Sequence, residues 1–141
     1  DPKGTNWMKY AGADYITPNL KEINAVLPNP IRNEDQPVET AARSVMKKYQ
    51  LGSLIVTRSE AGLSLICEGE IKHIPTKAQE VFDVSGAGDT VIAVFAMGIA
   101  GGIAPVASAY LANLAAGVVV AKLGTYAVSR EELLQALEKE K

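Results

Sequence analysis

Cysteine and histidine are almost absent: the 141 residues hold one of each, Cys67 and His73. A single cysteine excludes an internal disulfide framework and a cysteine zinc cage. A single histidine excludes clusters of two or three histidine ligands. It also restricts any Ser-His-Asp or Cys-His catalytic arrangement to one built on His73. A basic excess is missing too. Lys and Arg total 14 against 16 Asp and Glu, a formal net charge of -2, which argues against an electrostatically driven nucleic-acid binder. Repeats, low-complexity tracts and internal linkers are lacking. What remains is 48% apolar and 21% charged, the balance of a globular domain rather than a disordered tail. The length suits one domain. The chain opens on Asp1, and Asp1-Pro2-Lys3-Gly4 reads as the loop after a strand, so the sequence is expected to be a piece of a longer protein.

Charge is also absent from Val91 to Ala121. A run of that length invites a membrane-spanning reading. Gly101, Gly102 and Pro105 break it in two, and Ser108, Tyr110 and Asn113 interrupt its apolar character. Two buried helices of an α/β protein fit better, their small side chains permitting close packing.

Hydrophobic spacing organises the rest. Ala13 to Thr17 reads as a short buried strand ending at Pro18. Asn19 then caps a helix to about Leu27, and a second amphipathic helix spans about Val38 to Tyr49, closed by Gly52. Ser53 to Thr57 is a continuous apolar run, as in a central parallel strand. Gly62–Cys67 and Glu70–Ile74 read as a hairpin turning on Glu68-Gly69. Residues 75–85 form an irregular approach with strand character near Val81 and Phe82. Helices follow from Gly86 to about Ala100, from Pro105 to Lys122, and from Ser129, where Ser129 and Glu132 make a capping-box pattern. This order predicts a three-layer α/β/α architecture around a mostly parallel sheet with a hairpin edge. Trp7 and Tyr10 read as packing a peripheral element, Cys67 as core or unreactive, and His73 as a surface strand residue without a catalytic role.

The segment Asp83-Val84-Ser85-Gly86-Ala87-Gly88-Asp89-Thr90 carries the most chemistry. Small residues at a helix start leave backbone N–H groups free for an anion, and the helix dipole reinforces them. Asp89, in the first turn, is placed to take a proton from an alcohol that attacks a phosphate. A plain glycine-rich helix entry explains the same spacing, so both readings stand at this point. Two competing motifs fail. The dinucleotide fingerprint needs a small residue where Val91 stands, and no Gly-Lys pair exists to make a P-loop.

Asp83 to Ala96 resembles the second signature of the PfkB, ribokinase-like sugar kinases. The match is specific through Asp89 and departs at Val94, where the signature has Ala or Gly. The string from Ile74 to Asp83 is similar to the heptose 7-phosphate kinase branch of that family, as are Asp1–Gly4, Thr57–Gly62 and Lys122–Thr125. The resemblance covers nearly the whole chain and corresponds to the C-terminal half of such a kinase domain.

The resemblance implies roles by position. Asp89 matches the catalytic base, and Gly86, Ala87 and Gly88 match the anion hole for the transferred phosphoryl group. Asp83 and Ser85 match positions that bind a monovalent cation such as K⁺. Asn19 and Glu22 match the Asn-x-x-Glu motif that organises Mg²⁺, often through water; the same pair is a capping box. Thr57, Ser59 and Gly62 match a Thr-x-Gly-x-x-Gly segment along the nucleotide phosphates, with Ser59 in place of the middle glycine; an ordinary strand-to-hairpin turn is the other reading. Lys3 either reaches ATP phosphates or is a solvated charge. Asn113, Ala116, Gly117 and Gly124 lie where the family builds its adenine pocket, and each also suits plain helix packing.

The resemblance therefore implies a cytoplasmic kinase using ATP and Mg²⁺ on a sugar phosphate. The heptose branch points to D-glycero-D-manno-heptose 7-phosphate, phosphorylated at O1 for lipopolysaccharide core synthesis. Neither nucleic acid nor membrane is an expected partner. A sheet cut through its middle would favour self-association into a homo-oligomer or marginal stability. This length of chain is expected to be inactive alone. Kinases of ribose, fructose, hexose phosphates or nucleosides are alternatives, as is a non-catalytic nucleotide-binding or assembly module.

Overall fold

Three apolar residues in succession, Leu54 to Val56, give β2 (Ser53–Thr57) two buried faces, the pattern of a central strand. On one side β1 (Tyr15–Ile16) pairs with it in parallel, Tyr15 against Ser53 and Ile16 against Leu54. On the other, β3 (Leu63–Ile66) runs antiparallel and is followed by β4 (Ile71–Ile74), giving the order β1-β2-β3-β4. The expected hairpin is present, closed by the Cys67 amide on the Glu70 carbonyl at 2.8 Å. The sheet is mixed, with one parallel and two antiparallel pairings among the described residues. The computed structural model describes residues 1–78 and 80–140. Gln79, in the heptose-kinase-like string, lies outside them. The chain divides into two compact units, Asp1–Pro75 and Thr76–Lys141.

In the first unit, Asn19 starts α1 (Leu20–Val26) and α2 covers Asp35–Tyr49. Along α2 the buried residues Val38, Ala41, Ala42, Val45, Met46 and Tyr49 recur every three or four positions, one stripe of an amphipathic helix. The helix starts earlier than Val38 because Pro37 falls in its first turn, where no intrahelical N–H is needed. Gln50, not Gly52, takes the left-handed cap position, with φ 55°. Gly52 has a different task. A side chain there would put Cβ 2.7 Å from the Asp14 carbonyl oxygen, and the Gly52 amide bonds the Ala13 carbonyl at 2.9 Å. Trp7, read from sequence as peripheral, has no exposed surface. It sits in a 3₁₀ turn (Trp7–Tyr10), tilts against Tyr49 at 6.0 Å, and donates its indole N–H to Gly4 at 2.9 Å. It belongs to the core that Ile23, Val38, Leu54 and Ile66 line.

In the second unit, α3 (Ala87–Ala100) and α4 (Pro105–Val120) pack together. Gly98 makes this approach possible, since a Cβ there would lie 2.4 Å from Ser108 Oγ. The charge-free run is thus two helices. Among the described residues, no helix is long and apolar enough to cross a membrane. Val81 and Phe82 form no strand; the amides of Phe82 and Asp83 instead bond the Val120 carbonyl at 2.8 and 3.2 Å.

The last helix, α5 (Arg130–Glu138), has the capping box expected of Ser129 and Glu132. Glu132 accepts the Ser129 amide at 3.0 Å and the Tyr126 hydroxyl at 2.9 Å, and pairs with Lys122 at 3.2 Å. These donors, the Ser129 amide foremost, bring its pKa from the ordinary 4.5 to about 2. A depressed carboxylate pKa contributes stability above the unfolded value and loses it as pH falls through the folded one. The cap of α5 is therefore complete above pH 4.5 and dissolves between there and about 2. Carboxyl ¹³C NMR should place the Glu132 midpoint near 2, and Tyr126→Phe should move it upward. A native midpoint at 4.5 would contradict the arrangement.

Candidate active site

Open α/β sheets bind ligands beyond the carboxyl ends of their parallel strands, and the first unit gathers its candidate residues there. The chain leaves β1 through Thr17 and Pro18, and the Thr57 amide at the end of β2 bonds the Pro18 carbonyl at 3.0 Å. Asn19 and Thr57 form an isolated parallel bridge. Asn19 Oδ1 accepts the Glu22 amide at 2.8 Å and Glu22 Oε2 accepts the Asn19 amide at 2.8 Å, so the capping box is formed. The other Glu22 oxygen meets Lys3 Nζ at 3.3 Å, and the same ammonium pairs with Asp1 at 2.5 Å. Lys3, Asn19, Glu22 and Thr57 are thus neighbours. Thr17 Oγ1 is buried close by in sequence, without a hydrogen-bond partner among the described residues; a buried hydroxyl in that condition is uncommon.

A 3₁₀ turn (Ser59–Ala61) follows β2. Its backbone closes through Arg58 N–H to the Gly62 carbonyl at 2.8 Å and Gly62 N–H to the Ser59 carbonyl at 3.0 Å. Gly62 has φ 82° and ψ -126°, a region closed to residues with a side chain. Ser59, where the family has glycine, also takes a positive φ, 52°. The substitution keeps the glycine-like backbone and adds a hydroxyl.

In the second unit, Gly86 opens α3 at φ 79°. The Ala87 amide turns back to the Val84 carbonyl at 3.2 Å, and both the amide and the hydroxyl of Thr90 reach the Gly86 carbonyl at 2.9 Å. The Gly88 and Asp89 amides take no acceptor among the described residues, as expected for a first turn. A Cβ on Gly88 would meet nothing within 4 Å, so an anion has room to approach the backbone. Asp89 stands exposed in that turn. Asp83 shapes the entry: one carboxylate oxygen accepts the Ser85 amide at 2.8 Å and the other the Gly124 amide at 3.1 Å. These bonds, the Ser85 amide first, hold its pKa below the ordinary carboxylate value. Asp83, Ser85, Gly86, Ala87, Gly88, Asp89 and Gly124 therefore form one group.

Asn113 and Gly117 lie one turn apart on α4, and Asn113 is buried. The space beside Gly117 is not open. A Cβ there would stand 3.4 Å from the Ala78 amide nitrogen and 3.5 Å from the Lys77 carbonyl carbon. Here the missing side chain admits the protein's own backbone, in place of the expected gap for a flat base. Lys77 is itself tied to Glu140, which also accepts the Tyr110 hydroxyl at 2.8 Å.

One cluster escaped the sequence reading. Arg58 is 3% exposed. Its Nη1 donates to Asp35 at 2.6 Å and Ser64 Oγ at 2.9 Å and lies 3.3 Å from His73 Nδ1, while Nε donates to Asn33 at 2.9 Å. His73 joins Ser64 at 2.7 Å and Glu39 at 2.8 Å, so it is no simple surface residue. The only hint in the sequence was a charged residue directly after an apolar strand. Among the described residues, no group of three or more His, Cys, Asp or Glu is placed to hold a metal ion. Magnesium would rest on Glu22 with water and phosphate oxygens, a ligand set that suits it.

The sequence model of the pfkB family carbohydrate kinases matches residues 5–132. The chain belongs to the pfkB family of carbohydrate kinases. This pfkB span contains the Asn19–Glu22, Thr57–Gly62 and Asp83–Asp89 segments and begins just after Lys3. The chain is 50% identical over 141 residues to the bifunctional protein HldE of Trichlorobacter lovleyi, covering 99% of this chain and 28% of that protein. It therefore spans little more than a quarter of the curated relative's length. Its fold is ribokinase-like. The ribokinase of Thermotoga maritima superposes with a TM-score of 0.79 at 30% identity, over 89% of this chain and 42% of that one. Escherichia coli phosphofructokinase-2, solved in complex with potassium, superposes at 0.83 with 14% identity, over 94% and 42%.

Proposed function

We propose that this chain supplies the phosphoryl-transfer and nucleotide-binding portion of an ATP-dependent sugar-phosphate kinase, as the C-terminal part of its kinase domain. The observation that carries the reading is Asp89 in the first turn of α3, directly after Gly86-Ala87-Gly88, with open space beside Gly88 for an anion. The acceptor hydroxyl oxygen attacks the γ-phosphorus, the bond to the β–γ bridging oxygen breaks, and ADP departs. The hydroxyl proton passes to the Asp89 carboxylate. The helix-start amides stabilise charge on the equatorial oxygens.

The other roles follow the family's positions. Glu22 and Asn19 would hold Mg²⁺ through water, and the ion would neutralise phosphate charge when bound. Lys3, Thr57, Ser59 and Gly62 follow the nucleotide phosphates, and Asn113 and Gly124 border the base. Asp83 and Ser85 are the candidates for K⁺; each Asp83 oxygen already accepts one amide and keeps a further lone pair. The acceptor we favour is D-glycero-D-manno-heptose 7-phosphate, with O1 attacking to yield the 1,7-bisphosphate. The heptose-branch segments and the HldE relative support that choice.

A polypeptide of the HldE relatives' length, containing this chain, should convert the heptose phosphate and ATP to bisphosphate and ADP, followed by ³¹P NMR. It should prefer that sugar over ribose, fructose 6-phosphate and nucleosides. The 141-residue chain alone should give no turnover. An amide NMR titration with ATP and Mg²⁺ on the longer protein should shift Gly86, Gly88 and Thr57. The absence of both turnover and shifts would overturn the kinase reading.

A further inference from the structure

A residue with a side chain rarely holds a positive φ unless its surroundings fix it there. Ser59 does so at 52°, three residues before Gly62 at 82°. The bonds inside the turn are few, and Arg58, at its N-cap, makes no side-chain capping bond to it. What surrounds the turn is the buried Arg58 cluster. Asn33 grips Arg58 twice, accepting from Nε at 2.9 Å and donating its amide to the Arg58 carbonyl at 3.0 Å. One side chain thus fixes both the main chain and the guanidinium of the residue that enters the turn.

The remaining bonds form a chain from Glu39 through His73 and Ser64 to Arg58. His73 Nε2 lies 2.8 Å from Glu39 Oε1. Ser64 Oγ is hydrogen-bonded with His73 Nδ1 at 2.7 Å and accepts from Arg58 Nη1 at 2.9 Å. Ser64 and His73 are direct cross-strand partners, so the hairpin sets their distance. Asp35, in the first turn of α2, takes the same Nη1 at 2.6 Å. The guanidinium is therefore clamped from α2, β3, β4 and the Asn33 loop. The Ser-His-Glu sequence within this cluster is no nucleophile: Ser64 has no exposed surface.

We propose that Arg58 is a positioning residue for the nucleotide, its clamped guanidinium holding the Ser59–Gly62 turn in the backbone shape that receives the phosphates. This rests on the reading that the turn meets those phosphates. The alternative is an arginine that merely fastens α2 to the hairpin. The two differ in what moves on substitution, because Arg58 stands in the turn's own hydrogen-bonded ring while Asp35 and Glu39 do not.

The test uses the longer kinase polypeptide and steady-state kinetics well below the thermal midpoint. Arg58→Lys keeps the charge and loses the fork that reaches four partners. It should raise KM for ATP by about tenfold or more, a geometric misplacement effect, with kcat and the sugar KM within about threefold. Asn33→Ala removes the two-point grip without unpairing Asp35, and should raise the ATP KM in the same direction if the lysine variant fails to fold. Glu39→Gln, at the far end of this hydrogen-bonded chain, should leave the ATP KM unchanged. An ATP KM within twofold of wild type in both folded variants overturns the proposal, as does an equal rise in both substrates' KM. A wild-type protein that ATP does not saturate fails before any variant is made, and overturns the underlying reading as well.

Discussion

Asp89→Asn, made in the longer kinase polypeptide, should cut kcat by about 10³-fold while ATP still binds. That loss corresponds to roughly 4 kcal/mol of transition-state stabilisation. The substitution is nearly isosteric, and Asp89 is exposed at the third position of α3, so no packing is lost. Its stability cost is the favourable charge at a helix N-terminus, about 0.3–1 kcal/mol. An amide oxygen is too weak a base to take the hydroxyl proton, so chemistry suffers and binding does not. Equal losses in kcat and kcat/KM, with the ATP KM unchanged, are the expected pattern. A kcat within a few-fold of wild type would remove Asp89 from the base role.

Trp7→Ala should destabilise the Asp1–Pro75 unit by about 3–5 kcal/mol. Trp7 is fully buried, packs on Tyr49, and donates to Gly4. The change leaves a large cavity and removes the indole bond to Gly4. A unit of that length is stable by roughly 4–11 kcal/mol, so much of the margin goes. Circular dichroism with denaturant is the appropriate readout, because Trp7 is the only tryptophan in the sequence and its loss removes the intrinsic fluorescence probe. Trp7→Phe should recover most of the packing and lack the indole bond. A loss below 1 kcal/mol for the alanine variant would show that the pocket collapses around the gap. The effect should extend to Lys3, whose amide bonds the Tyr10 hydroxyl at 3.0 Å within the same N-terminal segment.

The features legible in the sequence are those whose causes lie a few residues apart. Both capping boxes, Asn19 with Glu22 and Ser129 with Glu132, are three-residue relations, and both formed. The Gly86-Ala87-Gly88-Asp89 helix entry is equally local. Apolar spacing located α2 to within its first turn, because burial of one helix face repeats along the chain. Gly52 shows the limit. A glycine after a helix suggests a cap, yet its requirement comes from Asp14 on the neighbouring segment.

By itself, then, the sequence determined the order of elements, the helix starts and the chemical character of the Asp83–Thr90 segment, all set by backbone geometry within one or two turns. The tertiary structure alone decided that Trp7 is core, that backbone occupies the space beside Gly117, and that β2 carries a parallel neighbour on one side and an antiparallel one on the other. It also decided that Asn33, Asp35, Glu39, Ser64 and His73 meet around Arg58. Those contacts join residues up to 34 positions apart. Distant partners leave no periodic trace in a single sequence, because strand pairing and helix docking, not local preference, bring them together.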